Sequence, residues 1–228
     1  MIAEAKRRRR LLSVYHNRHW DGCIREAVKR IGRREIGDIV RIEAYAGGYG
    51  KPDHWWRASK SISGGILYDW GVHYLEYALQ LIDSPIVEVS GFATSGYWAP
   101  HTPWRGDTNE DEAFAVTRFK SDQWLTLMVS QLDSNPKRGA VEITGTRGTY
   151  ILEPARWQII RHRSGRTITT CGPNPPSQWW RFYRNIADHL TKGTPLVITA
   201  QWARRPVHIL DLANRSATKG VAMKARYG

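Results

Sequence analysis

The sequence predicts an α+β fold in which a large, mostly antiparallel, open sheet is covered by helices on one face. Three observations predict it. Short strand-like runs joined by tight turns recur between residues 86 and 170, as in antiparallel sheets. A long apolar segment with helical periodicity precedes these runs, and two helical segments follow them.

The first part of the chain is predicted to contain two helices and two strands. Residues 1–10 are predicted as a helix and residues 11–15 as a short buried strand, a unit that is typical of a larger parallel sheet. A second helix is expected over residues 24–31. Residues 38–46 alternate apolar and polar side chains, which indicates a half-buried strand.

The most apolar segment of the chain predicts a helix over residues 66–82, introduced by Gly64 and Gly65. Residues 97–109 are predicted to form an irregular loop that is long enough to be functional or mobile. Strands are expected over residues 86–94, 113–119, 124–132, 140–144, 149–152, 157–161 and 166–170.

Two helices are expected at the end of the chain, over residues 178–190 and 200–217. Ser177 is a candidate N-cap of the first, and Gly193 lies beyond its end. Because proline disrupts a helix interior, the last helix is expected to begin near Pro206 or to bend there.

The composition is that of a folded globular protein, with a formal net charge of +13 in 228 residues. Such a charge attracts anions, but only residues 6–10 form a dense basic run, so nucleic-acid binding is not expected. Eleven Trp and ten Tyr exceed what a core requires, so some rings are expected to face a ligand or a partner.

Cysteine usage and hydropathy indicate the compartment. The chain has two cysteines, no Cys/His cluster with zinc spacing, and no apolar run of signal or membrane-spanning length. These features predict a cytoplasmic protein without a metal site or a membrane partner.

A polar stripe on the helix over residues 66–82 is the main candidate for chemistry. Asp69, His73, Glu76 and Gln80 are spaced four, three and four residues apart, which places them on one face. This pattern is also typical of the solvent-facing side of an amphipathic helix. A carboxylate one turn before an imidazole can accept its N–H and prepare it for proton transfer, so Asp69 and His73 are the candidate pair.

Aromatic and basic side chains supply further candidates for ligand binding. Trp55, Trp56 and Arg57 could stack on a sugar and bind acidic groups, although such Trp pairs are more often part of a core. The similar run at residues 179–181 is a weaker candidate. Arg18 follows the first predicted strand, where ligands bind in open parallel sheets.

The order of four motifs is similar to that of the Gfo/Idh/MocA oxidoreductase family. The motifs lie at residues 13–18, 36–40, 64–73 and 143–149. The specific one is Gly-Gly-x-x-x-Asp-x-Gly-x-His, from Gly64 to His73. The resemblance implies that residues 1–17 are the last helix and strand, a remnant, of a Rossmann domain, and that residues 18–228 form the α+β domain for substrate binding and oligomerisation.

The resemblance also implies roles for individual residues. Asp69 and His73 match the family's orienting carboxylate and proton-transfer residue, and Tyr68 in the same motif is a candidate substrate contact. Sugars, polyols or related cyclic alcohols are the implied substrates, NAD or NADP is the implied cofactor, and the open sheet is the implied interface of a homo-oligomer.

Two features of the family are missing from this sequence. No Gly-x-Gly-x-x-Gly fingerprint follows a strand, and no Glu-Lys-Pro motif supplies the family's catalytic lysine. We therefore expect a truncated chain that binds the dinucleotide poorly, if at all, by itself and is inactive alone. A non-catalytic sugar-binding or dimerisation module is the alternative.

Overall fold

The computed structural model describes residues 1–137 and 139–227. Six helices of this part are α1 (Ile2–Arg7), α2 (Gly22–Gly32), α3 (Lys60–Ser63), α4 (Leu67–Leu79), α5 (Trp180–Lys192) and α6 (Ala200–Lys219). The strands are β1 (Ile39–Gly47), β2 (Ile86–Thr94), β3 (Glu112–Phe119), β4 (Trp124–Ser130), β5 (Val141–Gly145), β6 (Gly148–Leu152), β7 (Arg156–Arg163), β8 (Arg166–Pro173) and β9 (Met223–Lys224). No helix among the described residues is both long and apolar enough to span a bilayer.

The strands form one nine-stranded sheet in the order β8-β7-β6-β5-β1-β4-β3-β2-β9. Tight hairpins join β3 to β4, β5 to β6 and β7 to β8, so these neighbours are antiparallel. The pair β1–β4 is parallel, with Ala44 beside Leu127. The expected α+β fold with a mostly antiparallel open sheet is confirmed.

Helices cover one face of the sheet because apolar residues alternate along the central strands. Helix α4 packs against β1 and β4, α6 packs against β2 and β3, and α2 packs against β6 and β7. Leu75 of α4 and Leu127 of β4 lie in the resulting core, where at most 1% of either residue is exposed. The absence of a side chain at Gly71 lets α4 lie close to β4, since an added Cβ would lie 2.8 Å from the Leu127 side chain.

The opposite face of the sheet remains open. Phe92 and Trp124 alternate with residues that face the helices, so their side chains point away from the core. Phe92 is 61% exposed and Trp124 is 37% exposed. The Phe92 ring lies beside that of Phe114 on the neighbouring strand, with centroids 6.3 Å apart.

The start of the chain differs from the prediction. Residues 11–15 form no strand, so the expected strand is wrong, because none of the nine strands described pairs with this segment. The first helix is also shorter than expected and ends at Arg7. The assignment of residues 1–17 to a separate domain stays a prediction.

The two C-terminal helices lie where they were expected, although α5 begins two residues later than predicted. Ser177 does not cap α5, because its hydroxyl accepts the N–H of Gly22 at the start of α2. Gly193 follows α5 with a positive φ of 71°, as expected for a helix C-terminus. Helix α6 begins at Ala200 with Thr199 as its N-cap, so Pro206 lies inside it.

Candidate functional site

A cavity of about 460 Å³ opens where β1 and β4 end beside the start of α4. Its walls combine aromatic, charged and amide side chains, which is the mixture found in small-molecule sites. The cavity is lined by Ala46, Gly47, Lys51, Pro52, Asp53, Trp55, Arg57, Ala58, Ile66, Asp69, Trp70, Tyr74, Asn109, Val129, Ser130 and Gln131.

The glycine pair fixes the start of α4 around a buried carboxylate. Gly65 has a φ of 126°, and an added Cβ would lie 2.9 Å from the Glu110 carboxylate. That carboxylate accepts the backbone N–H of Ile66 at 2.9 Å and binds the Lys60 ammonium at 2.9 Å. Burial by itself raises the pKa of Glu110, but these contacts outweigh it and lower the pKa. The absence of a Cβ at Gly65 therefore allows Glu110 to lie close to the start of α4.

The loop over residues 97–109 is anchored beside the cavity. Asp107 accepts hydrogen bonds from the Ser59 hydroxyl at 2.5 Å and the Ser61 backbone N–H at 2.9 Å. Asn109 donates its amide to the Arg57 carbonyl at 2.6 Å. The Asp107 bonds hold the start of α3, and the Asn109 bond holds the backbone at Arg57, so the loop has a positioning role.

Arg57 and Asp69 form the polar centre of the cavity. The Arg57 guanidinium donates to the Asp69 carboxylate at 2.8 Å, and each side chain is 39% exposed. The same guanidinium lies 4.5 Å from the centre of the Trp55 ring and 5.3 Å from that of Trp56. Trp55 lines the cavity, whereas Trp56 lies outside the lining and is 51% exposed.

His73 lies one turn further along α4, beyond Trp70. The two rings meet edge to face with centroids 6.0 Å apart, and the Arg18 guanidinium lies 4.7 Å from the centre of a Trp70 ring. The expected hydrogen bond between Asp69 and His73 is not formed. Instead Asp69 is bound by Arg57, and the buried Nδ1 of His73 has no hydrogen-bond partner among the described residues.

The pKa of His73 is lowered to about 4, first by burial and then by the positive charges of Arg18 and His16. Asp69 and Glu76 oppose this shift without cancelling it. The imidazole is therefore neutral at pH 7 and can accept a hydrogen bond or a proton.

This pKa predicts a stability that depends on pH. Between pH 6.5 and about 4 the unfolded chain binds a proton at His73 that the native state does not bind, so native stability falls as the pH falls. We expect the unfolding free energy of the wild type, relative to His73→Gln, to decrease by up to about 3 kcal/mol across this window. Urea unfolding at several pH values measures this difference. Parallel pH profiles of the two proteins would contradict the lowered pKa.

The polar stripe of α4 is not simply a solvent-facing side. Glu76 is 1% exposed and accepts hydrogen bonds from His19 Nδ1 at 2.5 Å, Trp202 Nε1 at 3.2 Å and Gln80 at 3.0 Å. Sequence spacing predicted the face of α4 on which Glu76 lies, but its contact with His19 joins residues that are 57 positions apart. No local signal in the sequence identifies that partner.

Three predicted substrate contacts, Arg18, Trp56 and Tyr68, lie outside the lining, and so does the predicted catalytic residue His73. Tyr68 points away from the cavity toward α6, where burial and then the negative charge of Asp211 raise its pKa. Arg18 binds Asp21 at 3.2 Å and reaches the site through its contact with Trp70. Sequence reasoning did not identify Trp70, Asn109 or Gln131 as lining residues.

The described residues do not fit a dinucleotide. A pyrophosphate cradle needs a glycine-rich turn that leads from a strand into a helix N-terminus. After β1 the chain instead runs from Gly48 through an irregular segment and a short 3-10 helix, and the next α-helix begins at Lys60. Among the described residues, no three His, Cys, Asp or Glu side chains are grouped so that they could hold a metal ion.

A family model described as the GFO/IDH/MocA C-terminal domain matches residues 24–151. The scyllo-inositol 2-dehydrogenase (NADP(+)) IolW of Bacillus subtilis (strain 168) is 35% identical over 242 aligned residues, which cover 91% of this chain and 62% of that protein. The chain thus spans less than two thirds of this relative. An uncharacterized oxidoreductase of Schizosaccharomyces pombe is 31% identical over 77 residues, or 33% of this chain and 21% of that protein.

Solved structures show the same fold at low identity. An NAD-binding protein from Listeria innocua superposes with a TM-score of 0.82 at 20% identity, over 98% of this chain and 70% of that chain. A levoglucosan dehydrogenase, solved in complex with NADH and levoglucosan, superposes with a TM-score of 0.79 at 17% identity. The superposition covers 96% of this chain and 67% of that chain.

Proposed function

The chain belongs to the Gfo/Idh/MocA family of oxidoreductases, and from this premise we propose that it is the substrate-binding part of an NAD(P)-dependent dehydrogenase. Its substrates are sugars, polyols or related cyclic alcohols. The names of two similar proteins, an inositol dehydrogenase and a levoglucosan dehydrogenase, support this substrate class.

The observation that carries the proposal is the composition of the cavity. Trp55 and Trp70 are 49% and 42% exposed and offer aromatic faces on which the C–H face of a sugar can pack. Arg57 and Asp69 line the same cavity and supply a donor and an acceptor for hydroxyl groups. Aromatic surface combined with a few convergent polar groups is typical of a pocket for a hydroxylated ring.

Asp69 and His73 are proposed to serve the reacting hydroxyl. Arg57 fixes the orientation of the Asp69 carboxylate, which can then accept a hydrogen bond from the substrate. Burial and nearby cations keep the His73 ring neutral, so that one ring nitrogen has a free lone pair. This nitrogen is proposed to accept a hydrogen bond from the hydroxyl and to take its proton. Arg18 holds Trp70 against this edge of the site.

Hydride transfer needs a dinucleotide site that the described residues do not form. We therefore propose that the 228-residue chain, tested alone, binds its substrate but does not catalyse the oxidation. The alternative is a non-catalytic sugar-binding or dimerisation module, and it is supported by the open sheet face that exposes Phe92. In either case the open face is proposed to pair with a second copy, through which the protein would be a homo-oligomer.

A titration tests the substrate and cofactor parts separately. We expect scyllo-inositol or levoglucosan to bind the purified chain and Trp55→Ala to weaken this binding by about tenfold, because the stacking face is lost. NADH and NADPH are expected not to bind. Calorimetry of each ligand with the wild type and the variant measures both effects.

Trp180→Ala is the matched control. Trp180 is 55% exposed and lies beside Arg184, as Trp55 lies beside Arg57, but it does not line the cavity. Its replacement should leave sugar binding unchanged. Failure of both sugars to bind would count against the proposed substrate class, whereas specific binding of NADH would overturn the proposed lack of a cofactor site. Sugar binding together with hydride transfer after a dinucleotide-binding domain is added would exclude the non-catalytic alternative.

A further inference from the structure

Gln131 lies at the end of β4, where its backbone is held firmly at the edge of the cavity. Its N–H donates to the Asp111 carbonyl at 2.8 Å. Its carbonyl accepts the Gly50 N–H at 3.2 Å and the Trp98 indole N–H at 3.1 Å. The backbone position of Gln131 is therefore set by three separate segments of the chain.

The side chain of Gln131 is held by none of these bonds. Its Oε1 is buried, and no donor among the described residues reaches it. A buried acceptor without a partner is costly, and native proteins keep few of them. Since no hydrogen bond from the described residues holds this amide, turning it into the adjacent cavity breaks none among them.

A second unpaired polar atom belongs to the same lining. The Nε of Arg57 is buried and has no acceptor among the described residues, although the Nη1 of this guanidinium binds Asp69. Among the described residues, the lining thus holds a buried acceptor and a buried donor without partners. A hydroxyl group can both donate and accept, so a hydroxylated ring carries the donor that the Gln131 oxygen needs.

We propose that Gln131 is a specificity-determining residue for the hydroxylated substrate, with its amide oxygen accepting a hydrogen bond from a ring hydroxyl. The proposal rests on the proposed sugar or polyol function and names a residue that recognises the substrate. A site that is built to bind a hydroxyl discriminates strongly against compounds that lack it, because its polar group is then left unpaired.

A structural role and a recognition role predict opposite changes when Gln131 is replaced by methionine. Methionine has a similar length and no buried acceptor, so Gln131→Met should unfold at the same urea concentration as the wild type or a higher one. Its affinity for scyllo-inositol and levoglucosan should fall by about tenfold, since the hydroxyl loses its acceptor. Gln131→Glu keeps an oxygen at this place and should retain more affinity than Gln131→Met.

Tyr150→Phe is the matched control, because it also removes a buried polar atom that has no partner. Tyr150 is fully buried in β6, and its hydroxyl is unpaired among the described residues, but it does not line the cavity. This variant should be at least as stable as the wild type and should bind both sugars with unchanged affinity.

The outcomes separate this inference from the proposed function. If wild-type protein binds neither sugar, the proposed function fails and the role of Gln131 fails with it. If wild type and Gln131→Met bind either sugar equally well, the function stands and the role of Gln131 is overturned. A Gln131→Met protein that unfolds more easily than the wild type would show a structural role and would also overturn the inference.

Discussion

Glu76→Ala is expected to lower the free energy of unfolding by about 3 kcal/mol, which is a large fraction of the stability of a typical domain. Glu76 is 1% exposed, and its carboxylate accepts from the His19 ring, the Trp202 indole and the Gln80 amide. Alanine removes the acceptor and leaves the His19 and Trp202 donors unpaired beside a new cavity. Urea unfolding followed by tryptophan fluorescence measures the loss.

A double-mutant cycle with His19 isolates the central contact of this cluster. His19→Ala should destabilise the wild type more than it destabilises the Glu76→Ala protein, since the bond is already absent from the latter. Glu76→Gln keeps one acceptor oxygen and should cost less than Glu76→Ala. Additive effects of the His19 and Glu76 substitutions would show that the two side chains do not stabilise each other.

Gly91→Ala is the second substitution for which we expect a large effect, again about 3 kcal/mol of lost stability. Gly91 lies in β2 directly under α6, and an added Cβ would lie 2.1 Å from the carbonyl oxygen of Ala213. That atom belongs to the helix backbone and cannot rotate away. The methyl group would therefore push α6 off the sheet and break the bond from the Gly91 N–H to the Ser216 hydroxyl, which is 2.9 Å long.

Gly32→Ala is the control for this substitution. Gly32 is the last residue of α2, no atom beyond its chain neighbours and its own helix backbone lies within 4 Å of its added Cβ, and alanine favours the helix. Its replacement should leave stability unchanged or slightly increased. Equal unfolding midpoints for Gly91→Ala and the wild type would mean that β2 and α6 can separate without cost.

Periodicity in the sequence predicted most of the fold. Alternating apolar residues predicted the strands that became β1 to β8, and the helical period predicted α4. These patterns are local and depend on which side chains a strand or helix buries. Strand β9 was missed, because two residues that pair with β2 carry no periodic signal. Residues 11–15 are mostly apolar, as in a buried strand, but they pair with none of the strands described. Whether a segment forms a strand depends on the segments available to pair with it, which its own residues do not show.

Within the site, the sequence by itself determined that Asp69 and His73 lie on one face of α4, because helical spacing fixes their relative direction. It also determined the family, through the glycine pair and the motif that follows. Only the tertiary structure decided that Asp69 binds Arg57 and that Glu76 is buried against His19. These contacts join residues that are separated in the chain. A local sequence pattern does not indicate which side chain from another segment will contact a given residue.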